Sequence, residues 1–499
     1  MYISKINNMF LLSLITASLM GCASEGAVTT TAPTTPDTPA TETKDVAVYT
    51  TTANRSKQMD ASFESFASGS NMSPSTITLS DDTKYQAMDG FGAAITGSTC
   101  YNLLKMTQAN RTKFLKQTFS ETDGLGYSYI RMSIGCSDFS LSEYTCCDKQ
   151  GISNFALTAE ETDYIIPVLK EILAINPNIR IMATPWTAPK WMKVNNLTDK
   201  AAYDSWTGGQ LNPDYYQDYA TYFVKWIQAM NKEGIKIYAV TPQNEPLNRG
   251  NSASMYMGWE EELAFVRDAL GPQFKSNGID TQIYAFDHNY NYDDISGQQH
   301  YPLNLYADNA ASDFLTGAAY HNYGGDVSEL SYIEQHAPAK GLIFTETSIG
   351  TWNDGRNFSK RLMEDMQQVG LNTIANYCKA VIVWNLMLDM DMGPNRKGGC
   401  QTCYGAVDIS RSDYSTISAN SHYYVIGHLS KVVKQGAIRI ATTGYTASGL
   451  SYQAFINPDG SHALVALNNS SELKSVTVAD SKHHFSTQIP AYAVVSYKW

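Results

Sequence analysis

With 499 residues, 43% hydrophobic and 17% charged, the chain has ordinary globular composition and is too long for one small core. That predicts one large domain with a smaller companion, or one barrel with additions. A formal net charge of −12, with no long basic run, argues against a nucleic-acid partner.

The N-terminus reads as a targeting segment. Lys5 precedes a short apolar run, Phe10–Leu19, and then Leu19-Met20-Gly21-Cys22 opens a Thr/Pro-rich stretch. This order resembles a bacterial lipoprotein signal, with residues 1–22 as the signal region and Cys22 lipidated. An ordinary secretory peptide with an incidental Cys22 is the alternative. Residues 23–45 lack apolar side chains to pack and are expected to form a flexible tether. The expected location is therefore outside the cytoplasm, lipid-anchored at a bacterial cell surface or outer membrane. Membrane contact is expected only through the anchor, because no other segment reaches the ~20 apolar residues that cross a bilayer.

Export permits disulfides. Eight cysteines less Cys22 leave seven, so at least one thiol has no partner within the chain. Cys400/Cys403 and the adjacent Cys146-Cys147 are the candidate pairs. Zinc at Cys400/Cys403 is rejected, because no second Cys or His pair follows at ligand spacing.

Residues 46–88 carry alternating segments such as Thr76–Leu79, which predict strands. Eight short apolar runs follow: Phe91–Ile95, Tyr127–Ile134, Arg180–Pro185, Lys236–Thr241, Gln282–Asp287, Gly317–His321, Leu342–Thr345 and Ala380–Trp384. Segments with helical periodicity separate most of them, among them Tyr164–Ile175, Tyr215–Asn231, Trp259–Leu270 and Lys360–Gly370. Eight alternations predict an α/β fold, a (β/α)8 barrel over residues 89–424. An open doubly wound sheet is the alternative, but Asp89-Gly90-Phe91-Gly92 lacks the G-x-G-x-x-G spacing of a dinucleotide site. Residues 425–499 return to short alternating runs at Ile438–Ile440, Leu450–Ile456, Ala463–Leu467, Ser475–Val478 and Ala493–Tyr497. They are expected to form a β domain that the 46–88 strands complete.

In such a barrel, chemistry gathers at the C-terminal ends of the strands. Those ends read Arg131 and Asp138, Trp186, Asn244 and Glu245, Asp287 and His288, His321 and Tyr323, Glu346, then Trp384 and Asn385. Carboxylates, amides, imidazoles and indoles recur there, a lining suited to a sugar. Glu245, in Thr241-Pro242-Gln243-Asn244-Glu245-Pro246, and Glu346 are opposed acids of the kind that cleave a glycosidic bond by the retaining route, which requires them ~5–5.5 Å apart. The proton donor needs a raised pKa, whereas Arg131 is expected to lower that of Glu346. Asn244 is placed to donate to a sugar 2-hydroxyl, and Asp138 to accept from sugar hydroxyls. Trp186 and Trp384 are expected to grip the ring, with His321 and Tyr323 orienting the nucleophile. This chemistry requires no metal and no organic cofactor.

These pieces together resemble glycoside hydrolase family 30, the retaining β-glycosidases that include glucosylceramidase. The resemblance is carried by Gly90–Ala94, Ile130–Ser140, Pro185–Lys193, Thr241–Pro246, Tyr320–Tyr323, Phe344–Glu346, Trp384–Leu386 and Gly393–Asn395. It implies a barrel with a side β-sandwich built from both chain ends, Glu245 as acid/base and Glu346 as nucleophile. It also implies that Arg131, Asp138, Trp186, Asn244, His321, Tyr323, Trp384 and Asn395 line the site. The loop from Arg396 departs from the glucosylceramidase pattern, and Gly399–Gly405 looks like that of the microbial β-1,6-glucanases of the family. An endo-β-1,6-glucanase is therefore the leading expectation, acting as a monomer on a β-glucan. β-Glucosidase or glucosylceramidase, β-1,6-galactanase, xylanase and a non-catalytic glycan-binding lipoprotein remain the alternatives.

Overall fold

Eight parallel strands close into a ring: Gly90–Ala94, Tyr129–Ser133, Arg180–Thr184, Ala239–Val240, Gln282–Asn289, Leu315–His321, Gly341–Glu346 and Cys378–Val383, the last pairing back to the first. The computed structural model describes residues 44–69 and 72–499; the expected signal segment, Cys22 and nearly all of the tether lie outside the described residues. Each predicted apolar run forms one of these strands, numbered one to eight below. Strand four is shorter than its run. Its ladder holds only Ala239 and Val240, although Ile235 and Ile237 before them are also buried.

Parallel neighbours need long crossovers, and helices supply them. Helix Tyr216–Lys232 shows why they pack: Tyr219, Tyr222, Phe223, Trp226, Ile227 and Met230 recur at helical spacing and are all buried. Inside the ring, Tyr129, Met182, Ala239, Tyr284, Ala319, Ile343, Ala380 and Ile382 form a separate apolar plug. The plug fills the barrel, so a substrate can enter only from an end.

The chain ends share one nine-stranded sheet. Its order is Gln58–Glu64, Val46–Thr52, Ala493–Lys498, His462–Asn468, Leu450–Ile456, Ile438–Gly444, Thr76–Ala87, Lys474–Ala479 and His484–Ile489. The sheet folds over its own apolar core, which includes Val46, Ile77, Leu464, Val478, Phe485 and Tyr497. Its two edges come within reach of each other, with Thr487 Oγ1 donating to Glu64 Oε1 at 3.1 Å. The 424/425 position lies inside helix Ser421–Val432, so the two domains meet across a continuous helix rather than a linker. His428 of that helix bonds Ser496 Oγ and Thr51 Oγ1, both at 2.8 Å, tying the two chain ends to the barrel. No helix among the described residues is long and apolar enough to cross a membrane.

Of the candidate cysteine pairs, Cys400 and Cys403 form a disulfide, whereas Cys146 and Cys147 are free and buried. The adjacent thiols face different partners. Cys146 Sγ donates to Glu161 Oε1 at 3.5 Å and Cys147 Sγ to the Gly151 carbonyl at 3.5 Å.

Candidate active site

Arg131 of strand two is the hub of the barrel mouth. Its buried guanidinium donates to Glu346 Oε2 at 2.6 Å, Asn244 Oδ1 at 2.6 Å and Asp287 Oδ2 at 2.8 Å. Trp186 and Trp384 stack on each other with centroids 5.1 Å apart, and both rings lie over the same guanidinium. Asp287 also accepts from Thr241 Oγ1 at 2.8 Å and Thr345 Oγ1 at 2.5 Å, and lies 3.1 Å from His321 Nε2. A buried charge this well paired stays ionised. Burial opposes ionisation of Asp287, but Arg131 and His321 hold its pKa well below the ordinary carboxylate range.

Backbone irregularities aim the acids. Glu245 is not in a strand but in a turn beyond Val240, in the left-handed region at φ 43°. Neighbouring strands fix that turn, through Asn244 N–H to the Pro185 carbonyl at 2.8 Å and Glu245 N–H to the Asp287 carbonyl at 3.0 Å. Asp287 is itself at φ 74°, beside a register shift between Phe286 and His288. Non-glycine residues in this region cost on the order of 1–3 kcal/mol each and persist where the surroundings over-determine them. A second shift, between Tyr320 and His321, pairs His321 with Glu346 and lets both Thr345 and Glu346 join the cluster.

One carboxylate oxygen of Glu245, one of Glu346 and a ring nitrogen of His321 all lie within 4.8 Å of one another. Among the described residues this is the one group of acids and imidazole at metal-ligand spacing. Arg131 already supplies it with positive charge. Glu245 Oε2 accepts from Asn248 Nδ2 at 2.7 Å and Asn251 Nδ2 at 3.0 Å, while Oε1 faces His321 Nδ1 at 3.3 Å. Glu346 Oε1 accepts from the Tyr323 hydroxyl at 3.0 Å.

The electrostatics of the pair reverse the expected asymmetry. Burial alone would raise Glu245, but the His321 hydrogen bond and the charges of His288 and His321 bring it down to about 2. Burial lowers His321, yet the charge of Glu346 and the bonds to Asp287 and Glu245 take it up to about 9. Burial raises Glu346, and together with the negative charges of Glu245 and Asp287 it outweighs the opposing pull of His321 and Arg131. The physical reason is burial: Arg131 does pull Glu346 down as expected, but loss of solvent outweighs it, with the charges of Glu245 and Asp287 acting in the same direction as burial. Asp138 is pushed up to about 8 by burial and by the charges of Glu346 and Glu245. Near neutral pH this favours the protonated carboxyl, a form able to donate to a sugar hydroxyl as well as accept from one.

A cleft of about 370 Å³ opens over the pair, lined by Asp138, Glu245, Tyr323, Glu346 and Trp384 among the sequence-predicted residues. Arg131, Asn244 and His321 do not line it: Arg131 bonds Glu346 and His321 faces Glu245, both of which do, whereas Asn244 is tied to the cleft through Arg131. Trp186, 2% exposed, likewise supports Trp384 rather than lining the cleft. Asn395 is not brought into the site: its amide donates to the Met392 carbonyl at 2.9 Å within its own loop. Asn244 gives its oxygen to Arg131, so its NH2 is the group left to donate. The Gly399–Gly405 loop singled out from the sequence supplies Gly399, Cys400 and Cys403 to the wall, but sequence reading missed Asn248, Asn251, Asp293, Ser348 and Trp352, which also line it. None of them ends a strand, and only Asn248 and Asn251, following Glu245 closely, left a local signal. A larger hollow, about 460 Å³ beside Tyr423 and Tyr424, has no opposed pair of acids.

The Glycosyl hydrolase family 30 TIM-barrel domain matches residues 88–433, and the beta sandwich domain of the same family matches 436–497. The chain belongs to glycosyl hydrolase family 30. It is thus a glycoside hydrolase of retaining type, a TIM barrel with a side β-sandwich. A solved endo-β1,6-glucanase structure is 65% identical, with a TM-score of 0.91 over 92% of this chain and 99% of that one. Endo-1,6-β-D-glucanase BGN16.3 of Trichoderma harzianum is 31% identical over 79% of this chain and 81% of its own length. Lysosomal acid glucosylceramidase of Mus musculus is 28% identical over 85% of this chain and 83% of its own.

Proposed function

We propose that this family 30 enzyme is a retaining endo-β-1,6-glucanase in which Glu346 attacks the anomeric carbon and Glu245 protonates the departing oxygen. The observation that carries the mechanism is the carboxylate pair, with oxygens within 4.8 Å across one cleft. That spacing suits a covalent glycosyl–enzyme adduct and is too short for the interposed water of an inverting enzyme. The linkage is supported by the 65% identity to an endo-β1,6-glucanase along nearly the whole chain.

Two acids this close share a proton between them. As the glycosidic bond breaks, positive charge grows at the anomeric carbon beside Glu346 and favours its carboxylate, so the proton belongs on Glu245. His321 Nδ1, 3.3 Å from Glu245 Oε1, holds that carboxyl group in place across the cleft. The Asn244 amide donates to the 2-hydroxyl, a bond that strengthens in the transition state. In the second half-reaction Glu245 takes the proton of water, which displaces the sugar from Glu346.

Product analysis on β-1,6-, β-1,3- and β-1,4-linked glucans and on glucosylceramide tests this reading. A ladder of short oligomers from the β-1,6 polymer alone, first formed as β-anomers, is expected. Glucose as sole product, cleavage of another substrate instead, or α-anomers would overturn it, and retention without cleavage would mark a glycan-binding protein. Glu245→Gln should slow polymer cleavage by roughly 10²–10⁴-fold while activated aryl glucosides are far less affected. Equal losses on both would refute its role as the acid.

Export and lipid anchoring at Cys22 are supported by the Leu19–Cys22 sequence and the Thr/Pro-rich stretch after it. Labelling cells with radioactive palmitate tests them: Cys22→Ser should abolish incorporation, and labelling that persists would discard the anchor.

A further inference from the structure

Trp352 is the more exposed of two open rings in the cleft, the other being Tyr323, whose hydroxyl is engaged with Glu346. Trp352 is 52% exposed and lines the same space as Glu245 and Glu346, whereas Trp384, which covers Arg131, is 2% exposed. Among the described residues nothing hydrogen-bonds its indole N–H. It is nevertheless not a loose side chain. Its ring lies across Gly350, where a Cβ would come within 1.9 Å of Trp352 Cζ3. Gly350 pairs with Cys403 in a two-residue ladder, the Thr351 N–H donates to the Thr402 carbonyl at 3.0 Å, and Cys403 is bonded to Cys400. The loops after strands seven and eight are thereby joined into one brace. The far end of that brace presses on the site, since a Cβ at Gly399 would lie 2.1 Å from the Asp138 carbonyl.

A large aromatic face left in water, but pinned in place, is the signature of a surface waiting for a partner. Trp384 and its neighbours serve the reacting sugar, and a polymer must rest a further sugar on something. A β-1,6 link carries an additional rotatable C5–C6 bond, so its two rings are loosely coupled. Holding the second ring on a fixed platform removes that freedom before the bond breaks. We propose that Trp352 is the stacking platform of a second glucosyl subsite, held at the cleft rim by the Cys400–Cys403 brace. The inference rests on the glucanase reading and adds to it a residue that selects for substrate length.

The test compares a β-1,6-linked glucotetraose with β-D-glucosyl fluoride, whose leaving group is one atom and which fills only the reacting subsite. Trp352→Ala should lower the tetraose-to-fluoride ratio of kcat/KM roughly tenfold, mainly through KM, and Trp352→Tyr should restore most of it. Cys400→Ser/Cys403→Ser should lower the same ratio to a smaller extent. An unchanged ratio in Trp352→Ala overturns the proposal, whether or not both substrates slow together. Should the wild-type enzyme leave every β-1,6 oligomer intact, the linkage reading fails instead. The ratio is then measured on an oligomer of whichever glucan is cut, and it still decides Trp352.

Discussion

Two successive inward layers of the same barrel carry opposite chemistry. Tyr129, Met182, Ala239, Ala319, Ile343 and Ile382 belong to the apolar plug. One pleat further along the same strands, roughly 7 Å higher, stand Arg131, Thr184, Thr241, His321, Thr345 and Trp384. The plug needs nothing but fit. The mouth is filled with buried charge, which is tolerable only because Arg131 and Asp287 each bond several partners at once. The lesson is a division of labour within a few ångströms. The lower layer stabilises the ring, and the upper one is held by that ring in an arrangement it would not adopt alone.

The sharpest way to separate the layers is to remove function without touching the plug. Glu346→Gln should reduce turnover by roughly 10⁴-fold or more with little change in thermal midpoint. An active variant would end its assignment as nucleophile. Arg131→Met should break the upper layer itself, leaving Glu346 and Asp287 buried without their cation. A loss of about 3–5 kcal/mol in urea unfolding is expected together with loss of activity. Unchanged stability would show that the charges do not depend on one hub.

The upper layer should also respond to pH where the lower cannot. His321 is raised from 6.5 to about 9, so its contribution to stability is complete below about pH 6.5 and is lost as pH rises through about 9. Glu245 is depressed from 4.5 to about 2, so its share is present above about pH 4.5 and fades as pH falls through about 2. Unfolding measured from pH 6 to 10 should therefore show a declining limb that His321→Gln flattens. An equally steep limb in the variant would assign it to other groups. The smallest effect belongs to the plug: Ile343→Val should cost about 0.5–1.5 kcal/mol and leave kcat/KM unaltered. A large fall in activity there would show that the layers are not separable.

Much of this architecture was legible in the chain. Every barrel strand was marked by an apolar run, because a strand covered by helices outside and by the plug inside has no solvent face to interrupt it. Strand His484–Ile489 of the sandwich was not marked. Ser486 and Gln488 face solvent and Thr487 lies inward, leaving only Phe485 and Ile489 as apolar anchors. The two acids could be read from their neighbours, but their electrostatics could not. That Arg131 divides its charge between Glu346 and Asp287, and that His321 reaches both Asp287 and Glu245, depends on strands two, five, six and seven meeting in space.

The amino-acid order by itself determined the ring, the side sheet and the identity of the opposed acids, since periodicity and strand-end chemistry are local properties. Tertiary structure alone decided which of the site residues touch the cleft and which support it. It also joined Trp352 to the Cys400–Cys403 loop and set the direction in which each acid is shifted. Those outcomes depend on distances between loops remote in sequence, and Coulomb energies and burial are functions of distance rather than of order along the chain.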